Sequence, residues 1–507
     1  MSGDRVVAVD VGTSAVRAAV VSGDGTVESA VRVPRTDGAG GGHVDAEQLW
    51  SDVVTALGRV RGTAPGPVGA LGIAGHIGTV AVDPELRPVG PATGWADSRG
   101  ADLVAALPEP VLDRIREISG RPVPGAGGLA HALDLRARRP ELAARVHALL
   151  SPKDFLVARC VGSPVTDTVD AAYTLLFDVC TRTWDHDLLT ELDLPAGWWP
   201  AAAGPADPVG GLRDDVAAAT GLPAGLPVVA GGPDGSVGIG LLLGGRTDLI
   251  ADVAGTTDVL GRLSTDPAGT AGGVLLNPAL AGGRWVVGGP TGLTGGAVAR
   301  WRELAGTVEE DVVDAVAPGA DGLQVIPAMS GERFPRWRPA TRGAVLGQGL
   351  GHGPAHLLRA AREGAAFTVR EGVDLLDAGD SPGSTTVVFA GGAARSAAAT
   401  RLRADVLDRT VLVCDDPDVT LLGAAALALA GTGRDLDEAL EHLRPRLHRV
   451  DPDPGRAALY GELYPRWLAS RALVAPDAPA RGTPGGGTRT DTLGPRRDHS
   501  DGRRGGT

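Results

Sequence analysis

The chain has 507 residues, 43% of them hydrophobic and 21% charged, which is the composition of a folded protein with more than one domain. Its formal net charge of −13 argues against nucleic-acid binding, because no basic stripe is available to follow a phosphate backbone. Lys153 is the only lysine, and it does not lie in a Gly-Lys-Ser/Thr loop, so a P-loop nucleotide enzyme is excluded.

The cysteines and the apolar runs of the sequence indicate in which cellular compartment the protein is expected. Cys160, Cys180 and Cys414 are scattered and odd in number, so they indicate neither a disulfide framework nor a zinc site. The longest apolar run, Val419–Ala430, is too short to cross a bilayer, and the N-terminus leads directly into a strand. We therefore expect a cytoplasmic protein that does not bind membranes.

The first half of the chain is predicted to alternate strands and helices after an opening run of three strands. A glycine-rich flexible loop is predicted at Gly38–Gly42. The other predicted elements are strands over 5–33, a helix over 45–59, strands at 68–74 and 79–82, short helices over 101–178, a strand at 226–230 and a helix from Asp234 to Leu243.

The second half repeats this order more compactly. Strands are predicted at 248–253, 258–263, 323–326, 385–389 and 411–413, and helices at 296–305, 354–376, from Ser396, and at 421–429. Two similar α/β halves follow, which we assign to residues 1–244 and 245–474. Residues 475–507 contain almost no hydrophobic side chains and are predicted to form a disordered tail.

Two related segments, Asp10-Val-Gly-Thr-Ser14 and Asp252-Val-Ala-Gly-Thr-Thr257, each lie between two apolar runs. Each predicts a strand, a tight Gly-Thr turn and a returning strand, and such turns present backbone N–H groups and hydroxyls to an anion. Asp10 is suited to hold Mg²⁺ through water, and Arg17 to reach the same phosphates. A lone motif of this kind would indicate no more than an Asx-turn, but the second copy favours a polyphosphate site.

Asp234 follows Gly231-Gly-Pro233 at a predicted strand-to-helix turn. One interpretation is a helix N-cap. The other is a carboxylate in the cleft between the halves, where it would accept the proton of a substrate hydroxyl during phosphoryl transfer. The two interpretations are compatible, because the helix dipole stabilises the same carboxylate.

Trp95-Ala-Asp-Ser-Arg99 places an indole, a carboxylate and a guanidinium at alternate positions. An extended segment would present all three on one side, which suits a polyhydroxylated ligand. The alternative is a core tryptophan beside a solvated ion pair. His76 is interpreted as structural rather than catalytic, because no metal partner accompanies it.

Taken together, these motifs resemble those of the FGGY carbohydrate kinases, over about residues 5–470. The segments that carry the resemblance are Asp10–Arg17, His43–Trp50, Trp95–Arg99, Leu150–Phe155, Thr166–Ala171, Thr174–Asp178, Gly231–Asp234, Gly255-Thr256, Ser330–Pro335, Arg342-Gly343 and Gly391–Ser396.

The resemblance implies the actin/hexokinase-like ATPase fold, with two ribonuclease-H-like domains flanking a cleft, and transfer of phosphate from MgATP to a sugar hydroxyl. It implies Asp234 and Asp10 as catalytic residues and as the residues facing Mg²⁺. The implied nucleotide contacts are Gly12, Thr13, Ser14, Arg17, Gly255, Thr256, Gly296, Arg300, Gly391, Gly392, Ala393 and Ser396. The implied substrate contacts are His76, Ile77, Gly78, Trp95, Asp97, Arg99 and Asp234.

Departures from the family pattern concern the acceptor. Gly75–Thr79 lacks both the Met-His pair of xylulokinases and the Arg-Glu pair of glycerol kinases, and His131 stands near the place of a usual lysine. A ketopentose such as xylulose is the expected substrate, with another polyol or an aldonate as alternatives. Three other functions also stay open: a non-catalytic nucleotide switch, a chaperone-like protein and a sugar sensor. The oligomeric state stays open too, with a homodimer among the alternatives.

Overall fold

The computed structural model describes residues 5–35, 42–121, 127–267, 273–377 and 386–474. The strands of the first half are β1 (Arg5–Val11), β2 (Ala15–Ser22), β3 (Val27–Pro34), β4 (His43–Val44), β5 (Leu71–Gly75), β6 (Gly78–Val82), β7 (Ala92–Gly94), β8 (Ala148–Leu150), β9 (Thr166–Asp167), β10 (Phe177–Asp178), β11 (Thr183–Trp184), β12 (Ala202–Ala203), β13 (Pro208–Gly211), β14 (Pro227–Val229) and β15 (Gly232–Pro233). Its helices are α1 (Ala46–Thr63), α2 (Ala101–Ala105), α3 (Glu109–Ser119), α4 (Gly128–Arg138), α5 (Pro140–Ala143), α6 (Pro152–Val161), α7 (Thr168–Tyr173), α8 (His186–Glu191), α9 (Asp214–Thr220) and α10 (Asp234–Leu243).

The strands of the second half are β16 (Leu249–Ala254), β17 (Asp258–Ser264), β18 (Leu275–Pro278), β19 (Trp285–Pro290), β20 (Gln324–Ile326), β21 (Ala344–Leu346), β22 (Thr386–Gly391), β23 (Thr410–Cys414) and β24 (His448–Val450). Its helices are α11 (Thr294–Ala305), α12 (Glu310–Ala315), α13 (Pro354–Asp377), α14 (Ala397–Leu407), α15 (Val419–Gly431), α16 (Leu436–Leu443) and α17 (Pro454–Val474).

The two large sheets share one topology. The first has the strand order β13-β14-β5-β1-β2-β3, and the second has β24-β23-β22-β16-β17-β19, with β18 beyond β19. In each sheet the three strands on one side form an antiparallel meander, and the next two strands run parallel to the first strand of that meander. The internal repeat seen in the sequence is therefore a repeat of the whole sheet.

Helices α10 and α15 fill the space between the two sheets. Although α15 belongs by sequence to the second half, it packs against β1 and β5 of the first sheet, while α10 contacts both α15 and β16. The approach is close: a Cβ on Gly72 would lie 2.3 Å from the carbonyl oxygen of Ala424, and one on Gly423 would lie 2.6 Å from Val237 Cγ1. Glycine at these two positions lets α15 lie directly on the strand and on α10.

Most sequence-predicted elements are present, and the α/β fold is confirmed, with boundaries that differ by a few residues. The hairpin β18–β19 and the terminal helix α17 lie outside the predictions, whereas the long helix predicted over 354–376 is α13 almost residue for residue. The predicted loop at Gly38–Gly42 falls almost wholly outside the described residues, and the predicted tail after residue 475 does so completely. Within the described ranges, none of the helices combines the length and apolarity that a bilayer crossing requires.

Candidate active site

Three strands of the first sheet end at a common edge, and each brings a sequence-predicted residue there. Strands β1, β5 and β15 run parallel, with Asp10 opposite Ala74 and Pro233 opposite Gly75. Asp10 lies near the end of β1, and Asp234 comes directly after β15. The carboxyl edge of parallel strands is the usual place for ligands in α/β sheets. The topology therefore brings together two carboxylates that lie 224 positions apart in sequence.

Asp10 is buried and ion-paired to Arg17, its antiparallel neighbour on β2. Arg17 also donates to Asp418 Oδ1 at 2.7 Å and to the carbonyl oxygen of Pro417 at 2.8 Å. Burial raises the pKa of Asp10, although Arg17 acts in the opposite direction. Arg17 was predicted to face phosphates; its guanidinium instead bridges the carboxylates of Asp10 and Asp418, and a phosphate contact stays a prediction.

Asp234 is the first residue of α10, and the N-cap is Pro233, so the N-cap interpretation is wrong in detail. Its Oδ1 accepts a hydrogen bond from the backbone N–H of Gly235 at 2.7 Å. Burial and the nearby carboxylate of Asp10 raise the pKa of Asp234 to about 6, against the opposing effects of Gly235 and Arg17. A carboxylate with this pKa is ionised at neutral pH and is more basic than an ordinary aspartate.

A pocket of about 90 Å³ is lined by Ile77 and Gly78, which come just after β5, and we call it the acceptor pocket. Five of the predicted substrate residues line it: Ile77, Gly78, Trp95, Asp97 and Arg99. It is also lined by Thr79, Thr93, Gly94, Gly127, Gly128, His131, Leu149, Leu150, Ser151, Asp154, Thr166, Asp170, Tyr173, Thr174, Trp184, Trp199 and Pro200. A small space with this many polar groups suits a polyhydroxylated molecule.

The Trp95–Arg99 segment is a turn, so the condition that it be extended is not met. The turn nevertheless directs all three side chains to the pocket, with Trp95 55% exposed. Asp97 accepts from the backbone N–H of Arg99 at 2.8 Å and from its guanidinium at 2.6 Å. Burial alone would raise the pKa of Asp97, but these contacts outweigh it and lower that pKa. Asp97 and Arg99 thus present a neutralised ion pair to the pocket.

His76 does not line the acceptor pocket. Its ring is buried, with Nε2 2.8 Å from Arg35 Nη1 and Nδ1 3.2 Å from the carbonyl oxygen of Ile77. Its backbone N–H donates to the carbonyl of Val11. His76 thus ties the ends of β1 and β5 together, and a direct role in substrate binding stays a prediction.

His131 is a second histidine of this region, and it does face the acceptor pocket. It is 3% exposed, and its Nδ1 has no hydrogen-bond partner among the described residues. Burial and the charge of Arg99 lower its pKa to about 4, so the ring is neutral at neutral pH. A neutral imidazole exchanges hydrogen bonds with hydroxyl groups but supplies no charge to an anion.

A larger pocket, of about 1220 Å³, lies in the second half, and we call it the nucleotide pocket. Four predicted nucleotide residues line it: Gly255, Gly392, Ala393 and Ser396. Gly296 and Gly391 do not line it but lie next in sequence to residues that do. The Gly296 N–H donates to the carbonyl oxygen of Thr256, and a Cβ on Gly391 would lie 2.4 Å from the carbonyl oxygen of Ala254. Arg300 does not line the pocket; it pairs at 2.7 Å with Glu303, which does.

The remaining predicted phosphate contacts lie at the tips of the two hairpins. Gly12, Thr13 and Ser14 connect β1 to β2, where the Gly12 N–H donates to the carbonyl of Ala15 and both hydroxyl residues are exposed. Thr256 is likewise exposed between β16 and β17. Both tips therefore present free hydroxyls to solvent, as phosphate-binding turns require.

A buried ionic group missed by the sequence analysis supports the second hairpin. Arg403 of α14 lies 3.1 Å from Asp258 Oδ2 and 3.3 Å from Asp252 Oδ2, so that it joins the two strands on either side of the Gly-Thr-Thr turn. Burial raises the pKa of Asp252 to about 7 despite Arg403. The two aspartates flanking the motif were visible in the sequence, but the arginine that pairs them is about 150 residues away.

Comparison with known proteins identifies the chain. Residues 5–240 match the N-terminal domain of the FGGY family of carbohydrate kinases, and residues 251–432 match the C-terminal domain. The chain belongs to this family. Kinases of the FGGY family transfer phosphate from ATP to a small carbohydrate, and the resemblance seen in the sequence is thereby confirmed.

Individual relatives cover nearly the whole FGGY chain. The xylulose kinase of Escherichia coli K12 is 31% identical over 90% of this chain and 96% of its own. The gluconokinase of Bacillus subtilis 168 is 24% identical over 92% of this chain and 95% of its own. The ligand-bound xylulose kinase structure from Lactobacillus acidophilus superimposes with a TM-score of 0.85 at 21% identity, covering 93% of this chain and 99% of that one. The actin/hexokinase-like fold and the assignment as a carbohydrate kinase are thus established, whereas the acceptor is not.

Proposed function

We propose that this kinase phosphorylates a hydroxyl of a neutral ketopentose or related polyol, with MgATP as donor. The observation that carries the proposal is the arrangement at the sheet edge. Asp234, with a raised pKa, stands next to Asp10. Asp234 does not itself line the acceptor pocket, but Ile77 and Gly78, just after β5 of the same edge, line it together with Trp95. The xylulose kinases among the relatives support this acceptor class.

Asp234 would accept the proton of the attacking hydroxyl. Phosphoryl transfer proceeds through a loose transition state, so positioning and a proton acceptor matter more than strong base chemistry. The backbone N–H of Gly235 fixes one carboxylate oxygen and leaves the other available to the substrate. The exposed hydroxyls of Thr13 and Thr256 would contact the phosphates from the two hairpin tips, and closure of the halves would exclude water.

The residues at the edge fit a divalent metal. Arg17 is ion-paired to Asp10 and Asp418, and its charge also acts on Asp234 without an ion pair between them. These four groups carry an excess of two negative charges when all three carboxylates are ionised. Carboxylate oxygens are the ligands that Mg²⁺ prefers, commonly through water. Asp10 would hold the ion and Asp234 would face it, and the metal would neutralise charge on the transferring phosphate.

The charge of the acceptor pocket favours a neutral substrate over an aldonate. The described lining contains two basic side chains, Arg99 and His131. Arg99 is already paired with Asp97, and His131 is uncharged at neutral pH. Asp154 and Asp170 on the same wall are paired with Lys153, which does not itself line the pocket. A carboxylate in this pocket would lose hydration without gaining an unpaired cation, which is unfavourable.

An acceptor panel tests the proposal. ADP release is measured with xylulose, other ketopentoses, pentitols, glycerol and gluconate, with a no-acceptor control. The proposal requires acceptor-dependent turnover with kcat/KM highest for a neutral ketopentose or polyol. The gluconokinases among the relatives make the aldonate the competing candidate, and a preference for gluconate would overturn the neutral class.

A further inference from the structure

Two sequence segments that the proposed mechanism does not use, Leu150–Phe155 and Thr166–Ala171, meet around the single lysine. The Lys153 Nζ is fully buried and lies 2.7 Å from Asp167 Oδ2 and 3.3 Å from Asp170 Oδ2. It is also ion-paired to Asp154. All three aspartates are buried, so four ionisable groups are held together away from water.

The ammonium group takes the place that a cation would occupy in this cluster. The three carboxylates lie close enough together to hold a metal ion, but Nζ is within ion-pair distance of each of them. Hydrogen bonds complete the group: Thr166 donates to Asp154 Oδ2 at 2.7 Å, and Ser151 donates to Asp170 Oδ2 at 3.1 Å. A buried ionic group of this size costs desolvation energy, and packed apolar residues would often stabilise a fold equally well.

One hydrogen bond links Lys153 to the segment that carries Asp234. Nζ donates to the carbonyl oxygen of Ala230 at 2.8 Å, four residues before Asp234. The next residue, Gly231, has φ +76°, and a Cβ there would lie 2.0 Å from the carbonyl of Ile73 and 3.2 Å from Lys153 Cδ. The segment that carries Asp234 is therefore held between β5 and the lysine side chain.

The other side of the cluster forms part of the acceptor pocket. Asp154 and Asp170, which pair with Lys153, and Ser151 and Thr166, which pair with those aspartates, all line that pocket. One ammonium group is thus bonded both to the backbone leading to Asp234 and to the carboxylates of the pocket wall.

We propose that Lys153 is a positioning residue, which fixes Asp234 relative to the acceptor by joining the Ala230 carbonyl to the pocket carboxylates. The proposal rests on the proposed function, in which Asp234 accepts the proton of a bound hydroxyl. Misplacement by about 1 Å is enough to cost on the order of 100-fold in rate, so a cluster that sets this distance acts on kcat.

The first test replaces Lys153 with a neutral side chain of similar length. Lys153→Met is expected to lower kcat 10- to 100-fold and to raise the KM of the acceptor, with the KM of ATP within twofold of wild type. Arg471→Met is the matched control, because Arg471 is equally buried and pairs with Glu332 and Glu371 of the second half, away from Asp234. Both variants are expected to lose thermal stability, but only the first to lose kcat. Equal losses of kcat in both folded variants, or wild-type kcat in Lys153→Met, would overturn the proposal.

The second test needs no change to Lys153, so it holds even where that variant does not fold. Because the chain has one lysine, lysine labelled with ¹³C at Cε and ¹⁵N at Nζ gives a single side-chain signal in NMR. The groups that face Nζ are Asp154, Asp167 and Asp170, and Asp234→Asn leaves all three unchanged. Because Nζ donates to the Ala230 carbonyl in the segment that carries Asp234, the lysine signal is expected to shift in Asp234→Asn at a fixed pH of 7.5. Identical signals in the two proteins would overturn the proposal.

The two tests separate this inference from the proposed function. Absence of acceptor-dependent turnover in the wild-type protein would contradict the proposed function, while the lysine signal would still report whether Lys153 and Asp234 are coupled. The positioning role alone would be contradicted if the wild-type protein is an active kinase, its lysine signal does not change in Asp234→Asn, and Lys153→Met keeps its kcat.

Discussion

Arg17 and Asp418 stand 401 positions apart in the chain and are joined by a 2.7 Å ion pair. The same guanidinium binds Asp10, so the residue that the sequence assigned to phosphate is committed to carboxylates at the sheet edge. Asp418 precedes α15, the helix from the second half that covers the first sheet. The ion pair therefore links the charge balance of the catalytic edge to the packing of the two halves.

Removing the Arg17 charge is expected to raise the pH at which activity falls. Arg17 lowers the pKa of Asp234, which burial and Asp10 raise to about 6, so Arg17→Met moves that pKa further upward. Relative to wild type, kcat should fall at least about threefold more at pH 6 than at pH 8. Arg5→Met is the control, since Arg5 pairs with Glu28 at the other end of β1. If the pH profiles of kcat for wild type and Arg17→Met have the same shape between pH 5 and 9, this prediction is wrong.

Asp234→Asn is expected to stabilise the protein at pH 8. The native pKa of Asp234 is about 6 and its ordinary value is 3.8, so the native state binds this proton more tightly than the unfolded state. The free energy of unfolding thus decreases as pH rises from about 4 to about 6, and the penalty is fully present above that range. Removing the charge should recover about 1–3 kcal/mol at pH 8 and much less at pH 4.5. Urea unfolding without ligands at the two pH values measures this, and a gain independent of pH would contradict it.

Arg403 is expected to govern ATP affinity without affecting the acceptor. Arg403→Met leaves Asp252 and Asp258 buried without their cation on either side of the second Gly-Thr turn. The turn should lose its shape, and the KM of ATP should rise about tenfold or more, with acceptor KM within about twofold. Arg262→Met is the control, because Arg262 lies on β17, as Asp258 does, but donates to the carbonyl of Leu376. Equal effects of both variants on ATP would indicate a general loss of packing.

His131 is expected to set the preference between neutral and anionic acceptors. His131→Lys introduces a cation at a buried position where the native ring is neutral, and a carboxylate-bearing acceptor would gain a partner there. The ratio of kcat/KM for gluconate to that for the best ketopentose should rise at least about tenfold. His131→Gln, which stays neutral, should leave the ratio within about threefold. If His131→Lys leaves this ratio unchanged, residues other than His131 determine the preference for acceptor charge.

Local sequence signals predicted much of the fold and the edge of the site. The two Gly-Thr hairpins and the strand-to-helix turn before Asp234 were predicted because apolar periodicity and glycine turns are local features. Trp95–Arg99 forms a turn, although its alternating side chains would also suit an extended segment, because alternation alone does not separate the two. Helix α17 was missed; it begins at Pro454 and contains Pro465, which ordinarily marks a helix end.

Contacts between distant segments could not be predicted from one sequence. The sequence shows Lys153 as an isolated cation, and its partners Asp167 and Asp170 lie in another segment that only the fold brings to it. The same holds for Arg403 with Asp252 and for α15 on β1, because periodicity shows that a helix has an apolar face but not which sheet covers it.

The central claim is that Asp234 accepts the proton of an acceptor hydroxyl during phosphate transfer, and one measurement tests it most directly. ADP release is followed with the best acceptor and with no acceptor, in wild type and in Asp234→Asn at pH 7.5. Acceptor-dependent turnover in wild type and a loss of about 10²- to 10⁴-fold in kcat for the variant, with the KM of ATP nearly unchanged, is the predicted result. Full acceptor-dependent turnover in Asp234→Asn would contradict the account.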